Sequence, residues 1–196
     1  MAMGHVILKE FYADRQAPYF QRYARRYTDL PLLVTLRERD GAYVPDRLLR
    51  ASDLEGAGGE PENCEWKPVV LDERTGRPAV PNGSVGHRYG EPGRWNLKPA
   101  GIEPALSLLG RAEEAVEVDL PRFDIGATEG GASIRRGVPA LRLGDQLVTT
   151  VLDLSFAHYG VRREGLPGEW PSGYDDPAPC TPAWQEPITG VDAGAA

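Results

Sequence analysis

Apolar residues open the chain at helical spacing: Met3, Val6, Ile7 and Phe11 follow the i, i+3, i+4 pattern of an amphipathic helix. The pattern is already running at Met1, with no capping residue before it. A second helix is expected from Pro18, with Phe20, Tyr23, Ala24 and Tyr27 on one face and Arg22, Arg25 and Arg26 on the other. Thr28-Asp29-Leu30-Pro31 ends it. The period then shortens. Leu32 to Leu36 reads as a largely buried strand, and Asp40-Gly41 is a type I′ turn signal that returns Ala42 to Pro45 antiparallel. Arg47 to Leu54 is a short block before a loop, EGAGGEPENCE, that is flexible by composition. Trp66 to Leu71 and Arg77 to Val80 predict a second hairpin across Asp72 to Gly76.

Val80 to Leu97 (VPNGSVGHRYGEPGRWNL) breaks this regularity. Gly83, Gly86, Gly90 and Gly93 alternate there with charged and aromatic residues, and neither apolar period is present. Such a stretch reads as a loop pinned by its large side chains. Beyond it, Leu106 to Leu109 and Ala115 to Leu120 are strand candidates, and Phe123 to Gly137 is a Gly-rich loop. Val138 to Leu143 and Gln146 to Thr150 predict a third hairpin across Gly144-Asp145. Leu152, Phe156 and Tyr159 share a helical face that Gly160 stops. Glu164 to Cys180 is rich in Pro, Gly and acid, and is expected to be irregular. Thr181-Pro182 has the N-cap and first-turn signature of a last helix. Both ends read as cut. The fold class is α+β.

Composition adjusts this picture in three ways. The chain has 196 residues with 23 glycines and 18 prolines, which predicts short elements joined by much irregular chain. Its 41% hydrophobic and 26% charged content is that of a soluble globular protein. A net charge of −7 and a pI near 5.1 argue against broad electrostatic attraction to nucleic acid or anionic lipid. The longest apolar runs fall far short of the roughly 20 residues that span a bilayer. The opening MAMGHVILKEF has no basic region or small-residue cleavage site, so no export signal is expected. Cys64 and Cys180 are far apart and no CxxC exists, so free thiols are expected in place of a cysteine-based metal site or a disulfide.

Chemistry-bearing residues are scattered. The glycines of Asn82 to Gly93 match neither GxGxxG nor a P-loop, and a structural loop is the better reading. His5, His87 and His158 could serve as ligands or bases, but none has HxxxH or HExxH spacing. His5 reads as a packing or surface residue, and His87 alone lies in an interesting loop. Glu113-Glu114 and Asp175-Asp176 could work as acid–base pairs if burial split their pKa values, although adjacent loop acids are ordinarily solvated. Ser84 and Ser107 lie outside any GxSxG. Arg88 and Arg94, flanking Tyr89 and Trp95, could hold an anion or stack on a ring, or could pin the loop or meet a partner subunit. No free-standing active site emerges, and no catalytic, cofactor-binding or metal residue is assigned.

Several segments, in order, carry a resemblance: AMGHVILKEF, YARRYTDLPLLV, ERDG, RLLRASDL, PNGSVGHRYGEPGRWNL, LSLLG, LVTTVLDLSFAHYGV and TPAWQEPITGV. Together they resemble an internal portion of the catalytic alpha subunit of membrane-bound respiratory nitrate reductase, of the molybdopterin oxidoreductase superfamily. Only Ala127 to Arg136 and Gly165 to Asp176 diverge, and Pro187 departs from the family's helix-compatible residue. The resemblance implies a fragment of an enzyme that reduces nitrate to nitrite by oxygen-atom transfer. It implies a molybdenum bis(molybdopterin guanine dinucleotide) cofactor and a [4Fe-4S] centre in the intact subunit, with none of their ligands in this fragment. It also implies an iron–sulfur beta subunit and a membrane cytochrome b gamma subunit as partners, and a place at the cytoplasmic face of the bacterial membrane. Residues 1–39 are then expected to be helices and a first strand of a cofactor-binding α/β domain. Residues 40–150 are expected to form a mostly β insertion of hairpins. Residues 151–196 should hold a helix, an irregular loop and the start of another helix. A proline at position 187 is expected to weaken that last helix. A subunit-interaction module, or a fragment of a chlorate- or selenate-reducing relative, stands as the alternative.

Overall fold

The computed structural model describes residues 1–60, 63–81, 101–122 and 133–195. Helix α1 (Ala2–Ile7) runs without a break into a π-helical stretch, Leu8–Asp14. The helix is where its apolar period predicted, but it presents the opposite face. Ala2, His5 and Leu8 are buried, whereas Met3, Ile7 and Phe11 are exposed. The cause is close approach. Gly4 lies against the Tyr159 ring, where a Cβ would come within 2.7 Å, so the small and polar side of α1 is the one that fits.

Helix α2 (Pro18–Tyr27) likewise buries Ala24 and leaves Tyr23 and Tyr27 half-exposed instead of covered. Arg25 parts from Arg22 and Arg26 and turns inward, donating to Glu73 at 2.5 Å and to the Pro104 carbonyl at 3.0 Å.

Strand β1 (Leu33–Arg39) is buried along its first half and pairs antiparallel with β2 (Ala42–Leu48). The connection is the expected I′ turn, with φ of 51° at Asp40 and 77° at Gly41. β3 (Val70–Leu71) and β4 (Pro78–Ala79) form a separate two-stranded ribbon, the second predicted hairpin in shortened form. β5 (Glu114–Pro121) pairs antiparallel with β6 (Ser133–Leu143), and β6 with β7 (Gln146–Thr150). β7 returns to β1, and Tyr43 of β2 meets Val118 of β5 in parallel, so five strands close a barrel in the order β1-β2-β5-β6-β7. Val116, Val118, Leu120, Val138 and Leu147 fill its core. β1 thus belongs to the barrel on both of its edges.

Two strand expectations are corrected. Leu106 to Leu109 is not a strand, although Leu106 and Leu108 are buried. Side chains of the following helix satisfy its backbone in place of a ladder: Thr150 Oγ1 donates to the Leu106 carbonyl, and Leu108 N–H donates to Asp153. Of the loop expected over Phe123 to Gly137, residues 123–132 lie outside the described residues, and Ser133 to Gly137 is paired strand instead. The inward position there is Arg136, an arginine where a strand pattern calls for an apolar residue. Its guanidinium is held by the Ala157 and Glu169 carbonyls at 2.8 and 2.9 Å.

Helix α3 (Val151–Tyr159) follows β7 directly, capped by Thr150 and stopped by left-handed Gly160, φ 77°. The irregular segment after it forms a strap that folds back over the barrel, where Gly137 N–H donates to the Pro167 carbonyl at 2.7 Å. Helix α4 (Pro182–Thr189) has the expected Thr181 cap and is not broken at Pro187; it ends beyond it, at left-handed Gly190.

Candidate functional site

The most concentrated polar chemistry lies where α3 meets the 105–108 segment. Asp153 is fully buried because it sits on the third position of α3, facing inward beside the cap. Its Oδ1 accepts from Ser107 Oγ at 2.6 Å and from Arg163 Nη1 at 2.5 Å, and its Oδ2 accepts from Leu108 N–H at 2.8 Å. Arg163 arrives from the turn after Gly160, and its guanidinium lies 4.4 Å from the Phe156 ring centroid. Its Nη1 also donates to Ser107 at 2.9 Å, whereas Nε and Nη2 are buried without an acceptor among the described residues.

A polar cavity of about 500 Å³ adjoins this cluster, walled by Tyr12, Arg25, Glu73, Ser107, Arg111 and Arg163 among others. Glu73 bridges two of these cations, Arg25 at 2.5 Å and Arg111 at 3.1 Å. Burial, with the Asp153 charge second, pushes the Tyr12 hydroxyl up to about 12, so it stays a neutral phenol.

This arrangement is a clamp. The Ser107 proton is committed to a carboxylate that Arg163 neutralises, and no histidine joins the set to relay it, so Ser107 lacks the base that a nucleophilic serine needs. Arg25, Arg111 and Asp153 are each bonded to protein groups, Arg111 twice to Glu73. What the cluster does is anchor α3, the 105–108 segment and the post-helical turn to one another.

The other sequence-singled residues are dispersed. His5 is buried, with Nδ1 2.7 Å from the Tyr159 carbonyl and its ring edge-on to Tyr174. His158 Nε2 lies 3.1 Å from the Pro121 carbonyl. Burial holds both imidazoles below their ordinary value. Glu114 pairs with Arg142 across the β5–β6 ladder at 3.3 Å. Asp176 caps a turn by accepting from Ser172 N–H and Ala178 N–H, which holds its carboxyl below the usual range. Cys64 and Cys180 form no disulfide. Ser84, His87, Arg88, Tyr89, Arg94 and Trp95 lie outside the described residues. Among the described residues, no group of three or more His, Cys, Asp or Glu could hold a metal ion, and no helix is long and apolar enough to cross a membrane.

Sequence reasoning missed Asp153 and Arg163. Thr150-x-x-Asp153 is a helix-start signature that could have placed the first, but no periodicity marks Arg163.

No family model matches the chain. Curated relatives do. It is 50% identical over 207 aligned residues to the nitrate reductase alpha subunit of Mycobacterium tuberculosis, covering all of this chain and 16% of that protein. It is 44% identical to the respiratory nitrate reductase 1 alpha chain of Escherichia coli, over 97% of this chain and 17% of the relative. It is 41% identical to the nitrate reductase alpha chain of Bacillus subtilis, over 97% of this chain and 16% of the relative. A β-barrel with helical flanks that matches such relatives throughout is homologous to part of a large oxidoreductase subunit. The subunit is the alpha subunit of nitrate reductase, and this chain corresponds to a segment of it. The chain spans 16–17% of the length of these relatives.

Proposed function

We propose that the chain serves as a structural segment of the catalytic alpha subunit of a respiratory nitrate reductase, which reduces nitrate to nitrite. The observation that supports this is similarity at 41–50% identity over essentially the whole chain to proteins bearing that name. In this reading the molybdenum bis(molybdopterin guanine dinucleotide) and the [4Fe-4S] centre are supplied by the intact subunit, where they perform oxygen-atom and electron transfer. Among the described residues, no His, Cys, Asp and Glu side chains gather into a group that could ligate a metal ion, and the rings of His5 and His158 lie against backbone carbonyls. The contribution of this chain is a closed barrel that positions loops, with the terminal helices lying against a molybdopterin-binding α/β domain. The iron–sulfur beta and cytochrome b gamma subunits are its partners in the complex, at the cytoplasmic face of the membrane.

Two measurements test the reading. The purified chain should show no reduced-viologen nitrate reduction. A Mycobacterium tuberculosis alpha subunit in which this chain replaces the matching segment should retain that activity. Activity in the isolated chain, or a cofactor-loaded chimera that cannot reduce nitrate, would refute it.

A further inference from the structure

Two helices at the start of the chain are apolar on their exposed side. On α1 and the π-helical stretch that continues it, Met3 is 69% exposed, and Ile7 and Phe11 follow it at four-residue spacing, both exposed. On α2, Tyr19 is 71% exposed and begins a ladder with Tyr23 and Tyr27, again four residues apart. The ladder rings lie 6.3 and 5.4 Å apart between centroids, the first pair stacked and the second tilted. Because α1 also buries Ala2, His5 and Leu8, it is a helix with contacts to make on both sides. Helices of that kind occur inside larger cores. Rows at i, i+4 are the ridges that pack into the grooves of another helix. Met, Tyr and Phe are the residues that dominate interface cores, and contiguous exposed apolar surface marks a binding face.

We infer that the outward row of α1 and the tyrosine ladder of α2 form a docking surface for alpha-subunit polypeptide outside the segment that this chain matches. The inference rests on the functional reading above and names the partner and the face. The matched segment is only 16–17% of the relatives' length, so most of the polypeptide able to cover these rows lies outside it. Charge refines the chemistry of the occupant. The chain as a whole carries −7, yet α2 contains Arg22, Arg25 and Arg26 and no acid. Arg22 and Arg26 are exposed beside the ladder, with the Arg26 guanidinium 5.5 Å from the Tyr27 ring centroid. The surface that seats here is therefore an apolar groove rimmed by carboxylates. A second copy of this chain fits less well, because a two-fold pairing of like faces brings the α2 arginines toward each other.

The test is co-expression of the tagged full chain with the Mycobacterium tuberculosis alpha subunit lacking the matching segment. The wild-type chain should retain that partner. Ile7→Glu with Phe11→Glu, and separately Tyr19→Glu with Tyr23→Glu, should each lower retention at least tenfold with unchanged circular dichroism and Tm. Arg37→Glu on the barrel should leave retention unchanged. Retention of the partner by both double variants at the wild-type level would overturn the docking face while leaving the functional reading intact. Failure of the wild-type chain to retain the partner would overturn both. A chain that sediments alone as a dimer and becomes monomeric in the α1 double variant would also overturn the inference, since its occupant would be a second copy.

Discussion

The Asp153–Arg163 clamp makes an unequal prediction for its two members. The pair is buried, with side-chain exposure of 0% for Asp153 and 6% for Arg163. Asp153→Ala removes the acceptor of three bonds, from Ser107, Leu108 and Arg163, and leaves a buried guanidinium unpaired. Breaking a buried pair in that way costs about 3–5 kcal/mol. Arg163→Met is milder for two reasons. Asp153 keeps its Ser107 and Leu108 donors, and the buried Nε and Nη2 that lack acceptors are removed. Each unpaired buried donor costs about 1–3 kcal/mol, so its removal offsets much of the lost ion pair and the net cost falls to about 1–2 kcal/mol. With a urea m-value of about 2 kcal/mol/M, Asp153→Ala should lower the midpoint by about 1.5–2.5 M and Arg163→Met by about 1 M or less. Asp153→Ala with Arg163→Met should cost less than the sum of the single changes, because neither charge is left alone. Urea titrations followed by circular dichroism measure all three. A cost below about 1 kcal/mol for Asp153→Ala, equal costs for both single variants, or strict additivity in the double variant would refute the reasoning.

Two further outcomes are expected. His5 and His158 are both held below the ordinary 6.5 by burial, so below that pH the unfolded chain takes up protons that the folded chain refuses. Stability is therefore full above about pH 6.5 and falls toward pH 5, with a limiting slope near 1.4 kcal/mol per pH unit for each histidine; His5→Gln should flatten the urea midpoint across this window. Asp53 and Asp119, held low by Arg47 and Arg135, lose their contributions only as the pH falls below their ordinary value of 3.8. At Gly137, a Cβ would stand 2.3 Å from Pro167 Cδ and 2.7 Å from Pro167 N. Gly137→Ala should cost about 1–3 kcal/mol and raise protease cleavage between residues 164 and 172; unchanged cleavage and Tm would show that the strap is not held there.

How much of this was legible from the sequence depends on what each signal encodes. Hairpins set by turn chemistry were found, because Asp40-Gly41 and Gly144-Asp145 state a connection within a few residues. Barrel closure was not, because the meeting of Tyr43 with Val118 joins residues 75 positions apart and no local pattern specifies it. Ser133 to Gly137 was hidden by Arg136, a charged residue at an inward position whose acceptors are carbonyls from α3 and the strap. The 105–108 segment misled in the other direction. It is apolar and buried like a strand, but the Leu106 carbonyl and the Leu108 N–H bond to Thr150 and Asp153 side chains, 44 and 45 residues on. Of the clamp, only Ser107 is considered from sequence, where it is set aside as lying outside any GxSxG, and its bond to Asp153 gives it a structural role instead.

The inverted face of α1 follows from the same distinction. A hydrophobic period says that a helix has an apolar side; it does not say which body that side meets. Here α3 takes the side with Ala2, Gly4 and His5, where small residues and one hydrogen-bonded imidazole permit close packing on Tyr159. The stronger apolar side, Met3, Ile7 and Phe11, is left outward. Meanwhile the interior holds Asp153, Arg163, Arg136 and His5, each of which requires specific partners to be tolerated there. Charged groups inside and an apolar row outside are opposite departures from an ordinary small domain, yet they have one explanation. In the reading proposed here, inside and outside are defined by a larger assembled subunit, in which the polar clamp is a deep anchor and the α1 row is one side of another core.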